Sequence, residues 1–168
     1  FFKAFGKPLT LVRPDAYHAT TAYGLTLEPG TAEHDQFFAH FGVEDWSQMP
    51  LLPGVKEACQ ALHDAGYELV CVTSMPTRFE AARLANFRSH GLPIDRVVAT
   101  GRYMGENPKL LHLQALGPVA FVDDLAYNFH GLGPEVHKAL IDYGNFDSTN
   151  RGADVSMADT THGSFIEF

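Results

Sequence analysis

The sequence is poor in cysteine, in basic residues and in long apolar runs. Its 168 residues include 2 cysteines and no Cys-x-x-Cys pair, which argues against a disulfide framework and against the usual zinc and redox motifs. Lys and Arg number 12 against 20 Asp and Glu, and the resulting net charge of −8 disfavours non-specific nucleic-acid binding. No apolar run reaches the roughly 18 residues of a membrane span, and no secretory signal is recognisable. We therefore expect a cytoplasmic protein whose partners include neither nucleic acid nor membrane.

The hydrophobic residues that are present, 45% of the chain, suffice for one core and a small insert. The first fifty residues are rich in aromatics and lack a β-branched run. Residues Phe1 to Phe5 resemble the end of a helix closed by Gly6, and a second helix is predicted over Thr31–His40, with Thr31 as its cap. We interpret residues 1–5 as the end of the first core helix and residues 6–49 as a small, mostly helical cap.

From residue 50 onward the pattern alternates between helix and strand. The predicted helices are Gly54–Ala65, Arg78–His90, Lys109–Leu116 and a terminal segment, Ser156–Phe168. The predicted strands are Glu68–Val72, Arg96–Thr100, Val119–Val122 and Lys138–Ile141. Strands separated by helices of this length are typical of an α/β fold. We expect residues 50–168 to form a Rossmann-like parallel sheet in three layers, with helices on both faces.

Polar side chains follow two of these strands, and a lysine opens a helix between them. Thr73 and Ser74 come after the first predicted strand, Asp123 and Asp124 after the third, and Lys109 lies at a helix start. Hydroxyls and helix N–H groups can hold phosphate oxygens, a lysine can neutralise them, and adjacent carboxylates suit Mg²⁺. Thr73 and Ser74 could instead cap the next helix, and Lys109 could be a solvated helix residue. Because the carboxyl ends of parallel strands share one sheet edge, we expect the five residues to lie together.

The order of these motifs resembles the haloacid dehalogenase-like (HAD) hydrolase superfamily, in its phosphatase type. The resemblance begins at the Pro-Gly-Val stretch near Leu52, continues through the strand that ends in Thr-Ser and through Asn107-Pro108-Lys109, and ends near Leu132. It covers about half of the chain. Each motif alone has little specificity, and the specificity comes from their order and their positions at strand and helix ends.

The resemblance implies a role for each matched residue. Thr73 would hold the transferred phosphoryl group with help from Ser74, and Lys109 would stabilise the charge of the phosphoryl group and of an aspartate nucleophile. One carboxylate of Asp123 and Asp124 would ligate Mg²⁺ while its neighbour supports the metal site.

The family's first motif, Asp-x-Asp at the end of the first strand, has no match in this chain. Asp15 and Asp142 follow apolar residues, but each lacks a second aspartate two positions later. In the family this strand lies between those carrying the second and fourth motifs, so its absence would leave buried backbone groups without partners. We therefore expect about twenty residues upstream of Phe1 to carry the strand and the nucleophile.

These observations favour a Mg²⁺-dependent phosphomonoesterase that acts on a small phosphorylated metabolite through an aspartyl-phosphate intermediate. A dehalogenase of the 2-haloacid type would use the same scaffold, although a carboxylate pair is useful mainly with a cation. A third alternative is a non-catalytic phosphate-binding or interaction protein that has lost the first motif. The sequence leaves the substrate, the pathway and the oligomeric state open.

Overall fold

The computed structural model describes residues 1–25, 27–101, 107–145 and 147–168. Within these ranges the helices are α1 (Phe2–Phe5), α2 (Ala19–Ala22), α3 (Ala32–Ala39), α4 (Val43–Ser47), α5 (Val55–Asp64), α6 (Glu80–Ser89) and α7 (Leu110–Leu116). The strands are β1 (Leu69–Thr73), β2 (Ile94–Ala99), β3 (Ala120–Asp123), β4 (His137–Ile141) and β5 (Thr160–His162). Short 3₁₀ helices occupy Thr77–Phe79, Ala126–Phe129, Val155–Met157 and Phe165–Glu167.

The fold is mixed α/β, with all described strand pairs parallel. β1 pairs with β2, ending at Thr73 opposite Ala99, and β3, β4 and β5 form a second sheet in that order, with Asp123 opposite Leu140. The sequence predicts a single sheet, whereas the described strands form these two small sheets. The α/β class is confirmed, and the three-layer arrangement stays a prediction.

Each sheet has its own apolar cluster. The first surrounds β2 and joins Cys59 of α5 to Phe87 of α6. The second surrounds β3 and β4 and is centred on Phe129 and Leu140, both fully buried. Val72 of β1 packs against the second cluster, so that the end of β1 lies beside the second sheet. These clusters fix the positions of the two strand ends that carry the polar motifs.

The N-terminal region, residues 1–49, is helical where the sequence predicts helices. α1 ends at Gly6, whose left-handed φ of 65° closes the helix, and Thr31 caps α3 by accepting a hydrogen bond from the His34 N–H. α4 packs against α6, which attaches this region to the rest of the chain. The division into a cap of residues 6–49 and a core of residues 50–168 stays a prediction.

The predicted terminal helix over 156–168 is wrong. The segment forms β5 between two short 3₁₀ helices, and β5 pairs with β4 through Ala139 opposite Thr160. Two consecutive β-branched threonines favour a strand once a neighbouring strand offers backbone partners. None of the helices in the described ranges has the length and apolar character needed to cross a bilayer.

Candidate functional site

A cavity of about 360 Å³ lies where the carboxyl ends of β1 and β3 meet. All five residues singled out by the sequence line it: Thr73, Ser74, Lys109, Asp123 and Asp124. Thr73 ends β1, Asp123 ends β3, and Lys109 directly precedes α7. The packing of Val72 against the apolar cluster of the second sheet brings the end of β1 beside the end of β3.

Lys109 and Asp123 form a buried ion pair. The ammonium donates a hydrogen bond to Asp123 Oδ2, and the two side chains are only 12% and 4% exposed. The ammonium also lies 5.6 Å from the centre of the Phe121 ring, a distance typical of cation–π contacts. Removing one partner of such a pair would leave an uncompensated charge away from water. Lys109 is therefore an oriented cation in the cavity, and the solvated-helix alternative is excluded.

The carboxylate of Asp123 has three hydrogen-bond donors. Besides Lys109 on Oδ2, the Leu125 N–H and the Asn128 side-chain amide each donate to Oδ1 at 2.9 Å. These donors occupy both oxygens and hold the carboxylate in one orientation. Asp123 is thus better placed to orient Lys109 than to present a free oxygen to a ligand.

Asp124 differs from its neighbour in exposure and in partners. It is exposed at the cavity, and its Oδ2 accepts a hydrogen bond of 3.2 Å from the Tyr17 hydroxyl. Partial loss of hydration and the adjacent charge of Asp123 raise the pKa of Asp124 above its ordinary value. Burial and the charge of Asp124 likewise raise the pKa of Tyr17, which keeps its hydroxyl protonated as a donor. A cation bound here would relieve the repulsion between the two carboxylates.

Two asparagines complete the network around the ion pair. The Asn107 side chain accepts a hydrogen bond of 2.9 Å from the Lys109 N–H and donates one of 2.6 Å to the Asn128 carbonyl. Asn107 therefore connects the start of α7 to the segment that follows β3. Sequence reasoning gave neither asparagine a role, although the position of Asn107 two residues before Lys109 is typical of an Asx turn.

Two aromatic residues of the N-terminal region, Tyr17 and Trp46, also line the cavity. Tyr17 is held by its own N–H, which donates to the Asp147 carboxylate after β4. The indole N–H of Trp46 is buried and has no hydrogen-bond partner within the part of the chain that the structure describes. A buried donor without an acceptor carries a desolvation cost of about 1–3 kcal/mol. Sequence reasoning assigned neither residue individually to the site, because their partners lie far away in the chain.

A second cavity, of about 270 Å³, separates β1 from β3. Val72 of β1 and Val122 of β3 both line it, together with Ile141 of β4, and Lys109 and both aspartates are at its polar end. In the described ranges β1 pairs with β2 and β3 pairs with β4, and no pairing joins β1 to β3. We call this second cavity the interstrand slot.

Neither aspartate considered as a nucleophile within the chain lies in these cavities. Asp15 is exposed and paired with Arg13 at 3.1 Å, and Asp142 accepts a hydrogen bond from the Gly144 N–H beyond β4. Asp123 and Asp124 are the carboxylates among the described residues that line either cavity. The nucleophile expected from the resemblance therefore has no counterpart among the described residues.

The donor atoms at the cavity fit a hard divalent cation. The described lining offers carboxylate and hydroxyl oxygens and no histidine or cysteine, and this composition suits Mg²⁺ better than zinc or copper. Within the described ranges no three His, Cys, Asp or Glu side chains converge as a complete metal cage. Mg²⁺ commonly binds through one or two carboxylates plus water and substrate phosphate, and Asp124 is the exposed carboxylate of this pair.

Compared with the known protein-family models and with the curated proteins, the chain matches none. The HAD resemblance therefore depends on the motif residues alone, and it stays a prediction.

Proposed function

We propose that the protein is a Mg²⁺-dependent phosphomonoesterase of the HAD type, acting on a small phosphorylated metabolite. The observation that carries the proposal is the buried Lys109–Asp123 pair, which lines one cavity with Thr73, Ser74 and Asp124. A cation, hydroxyl donors and an available carboxylate are together the groups that a phosphate ester and its metal require.

In this proposal the phosphate contacts the end of β1 and Lys109. The Thr73 and Ser74 hydroxyls donate hydrogen bonds to two phosphoryl oxygens, and the Lys109 ammonium neutralises the charge that develops on them. Asp123 acts as a positioning residue, because its contact with the ammonium fixes where that charge lies.

Asp124 would hold Mg²⁺, and Asp123 would support the metal site through its own hydrogen bonds. The ion supplies charge neutralisation for the phosphoryl oxygens. The division of roles follows from the contacts, since Asp123 has three donors around it whereas Asp124 accepts from Tyr17 and remains exposed.

The nucleophile in this proposal is an aspartate on a strand that pairs in the interstrand slot. Such a strand would join the two sheets into the Rossmann-like three-layer fold, with residues 6–49 as a cap over the site. We place it on a segment that precedes Phe1. Its carboxylate would attack phosphorus while the bond to the leaving oxygen breaks and a second aspartate protonates that oxygen. Water would then cleave the aspartyl phosphate to release inorganic phosphate.

One observation favours a second function, a non-catalytic phosphate-binding protein. Among the described residues, Asp123 and Asp124 are the carboxylates at the cavities, and the geometry gives neither the position of an attacking group. This alternative expects binding of phosphate with Mg²⁺ and no turnover. A dehalogenase is less well supported, because it leaves the carboxylate pair without a function.

The test compares two proteins: residues 1–168, and the same chain with the encoded sequence upstream of Phe1. We expect the longer protein to hydrolyse p-nitrophenyl phosphate when Mg²⁺ is present and the 168-residue chain to bind phosphate without turnover. In the longer protein, Asp123→Asn and Asp124→Asn should each lower kcat/KM by at least about a hundredfold.

Asp142→Asn is the matched control, because Asp142 directly follows the neighbouring strand β4 and lies outside both cavities. It should leave kcat/KM unchanged. An upstream sequence without an apolar strand ending in aspartate would contradict the enzyme and favour the binding protein. Full activity of the Asp123 and Asp124 variants would remove both residues from the site.

A further inference from the structure

Asp124, the carboxylate to which the proposed function assigns Mg²⁺, is contacted from the N-terminal region. It directly follows β3 and is exposed at the cavity, and its Oδ2 accepts a hydrogen bond of 3.2 Å from the Tyr17 hydroxyl. Tyr17 lies two residues before α2 and lines the same cavity. A residue 107 positions away in the sequence therefore helps to set the direction of this carboxylate.

The backbone of Tyr17 is attached to residues that follow β4. Its N–H donates a hydrogen bond to the Asp147 carboxylate, and the Asp15 carbonyl accepts one of 3.0 Å from the Asn145 side chain. We call residues 145 and 147–150 the post-β4 segment. These two contacts fix the main chain of residues 15–17 to the post-β4 segment, and the Tyr17 side chain reaches Asp124 from there.

The post-β4 segment also holds the backbone of Asp124. The Asn150 side chain donates to the Asp124 carbonyl at 2.8 Å and accepts from the Ala126 N–H at 2.9 Å. The same segment therefore contacts the main chain of both residues that form the hydroxyl–carboxylate hydrogen bond. Because both main chains share this support, the Tyr17 hydroxyl and the Asp124 carboxylate are held within reach of each other.

A carboxylate that is oriented by a hydrogen bond is better prepared to bind a cation. A free aspartate side chain rotates about two bonds, and a cation that binds it must arrest both rotations, which costs conformational entropy. The Tyr17 hydroxyl restricts these rotations before the cation binds. It also leaves acceptor positions on the carboxylate, because an ionised carboxylate has about four lone-pair sites. Carboxylates that bind metals are commonly hydrogen-bonded in this way, and loss of the partner weakens metal affinity.

We propose that Tyr17 is a positioning residue of the cation site, whose hydroxyl holds Asp124 in the orientation that binds Mg²⁺. Mg²⁺ in turn strengthens the attachment of residues 15–22, which contain Tyr17 and α2. The coupling acts in both directions, because two linked binding events change each other's equilibrium by the same factor. The inference rests on the proposed function, since it assigns a supporting residue to the same metal site.

The first test measures metal affinity in the 168-residue chain. Mn²⁺, which also prefers oxygen ligands, is titrated by electron paramagnetic resonance of the free ion, and Mg²⁺ is measured by competition. Tyr17→Phe should weaken the binding of both ions about fivefold, with an unchanged circular dichroism spectrum. Tyr23→Phe is the matched control, because Tyr23 is an exposed tyrosine of the same region outside the cavity. Asp124→Asn should abolish binding.

The second test measures the coupling by amide hydrogen exchange in residues 15–22. In the unaltered chain, saturating Mg²⁺ should slow the exchange of the Tyr17 and Ala22 amides about fivefold, the same factor as in the affinities. In Tyr17→Phe, Mg²⁺ should leave these rates unchanged. A tyrosine with a purely structural role would give faster exchange in the variant by an equal factor with and without Mg²⁺.

The failures of the inference and of the proposed function are distinguishable. If Tyr17→Phe binds both ions as tightly as the unaltered chain while Asp124→Asn binds neither, the inference is overturned and the metal site remains. Tighter binding by Tyr17→Phe would mean that the hydroxyl competes with the cation, which also overturns the inference alone. Absence of binding by the unaltered chain, or binding that survives Asp124→Asn, overturns the proposed metal site and the inference together.

Discussion

Residues 1–49 and residues 50–168 differ in how much apolar surface they bury. Among the described side chains of the N-terminal region, the buried apolar residues are Ala4 and Ala22, and α3 and α4 bury none completely. The rest of the chain fully buries Phe129, Ala139 and Leu140. The larger region therefore derives its stability mainly from apolar contacts, and the N-terminal region has little core of its own.

Directed polar contacts hold the N-terminal region in place instead. Asn86 of α6 donates to two carbonyls just after Trp46, His90 shares a hydrogen bond with the Met49 carbonyl, and Tyr17 contacts Asp124 and Asp147. The comparison shows that Tyr17 is positioned by hydrogen bonds to the larger region. Trp46 is positioned by its stacking on Phe79 and by the hydrogen bonds that hold the carbonyls of Ser47 and Met49. Mutations in the apolar core should therefore mainly change the stability of the fold, and mutations of the contacts between the two regions should mainly change the geometry of the cavity.

The largest effect should come from the apolar core. Phe129→Ala should lower the free energy of unfolding by about 3–5 kcal/mol, because it removes a fully buried ring of the 3₁₀ helix Ala126–Phe129 from the core of the second sheet. Urea denaturation followed by circular dichroism measures the change. Phe2→Ala, at a 66% exposed position of α1, should change it by no more than about 0.5 kcal/mol. Equal losses from the two variants would contradict the comparison.

Breaking the attachment between the regions should have the next largest effect. Asn86→Ala should lower the free energy of unfolding by about 2–3 kcal/mol. The variant removes the hydrogen bonds of the Asn86 amide to the Ser47 and Met49 carbonyls and to the Arg83 side chain. Hydrogen exchange should quicken in residues 43–49 more than in β3 and β4. Gln60→Ala, which removes an exposed amide on α5, is the matched control and should leave exchange unchanged.

These contacts also show why the sequence predicted some parts of the molecule and missed others. α5 and β1 lie within a residue or two of their predicted bounds, because helical periodicity and a short apolar run are local signals. β5 depends on pairing with β4. The three residues of β5, Thr160–His162, carry no signal that identifies β4 as the partner strand. The terminal helix prediction failed for this reason.

The residues of the site show the same difference between local and long-range signals. Thr73, Lys109, Asp123 and Asp124 could be predicted to meet, since parallel strands deliver their carboxyl ends to one edge. Tyr17 could not be predicted, because its partner Asp124 lies 107 positions later in the chain and no local pattern connects them. The position of Trp46 likewise depends on contacts with α6. No local pattern around residue 46 indicates that helix as its partner.

A single hydrogen bond between the two regions should have a smaller effect. Tyr17→Phe should lower the free energy of unfolding by about 0.5–1.5 kcal/mol. The hydrogen bond from Tyr17 favours the charged form of Asp124, so its loss should raise the pKa of that carboxyl further. Carboxyl NMR titration in Mg²⁺-free buffer measures the shift. Tyr23→Phe, in the same region but outside the cavity, should leave the titration of Asp124 unchanged, and a lowered pKa in the Tyr17 variant would refute the contact.

The smallest effect should come from the exposed charges within the N-terminal region. Lys3 bridges Glu44 at 2.9 Å and Asp45 at 3.0 Å, but the Lys3 side chain is half exposed. Lys3→Ala should change the unfolding free energy less than any of the test variants above, and 0.5 M NaCl should erase the difference, since salt screens exposed pairs. A larger, salt-independent loss would mean that ion pairs, rather than contacts to α6, hold this region together.

The separation in sequence between Tyr17 and its partners has a consequence for synthesis on the ribosome. Its N–H is held by Asp147, 130 positions later, and the Asp15 carbonyl accepts from Asn145 at the same separation. A chain emerging from its N-terminus exposes residues 15–17 long before either acceptor or donor has been made. This loop therefore takes its place only after residue 147 has been translated, and the side of the cavity that Tyr17 lines forms later than the helices that precede it in the chain.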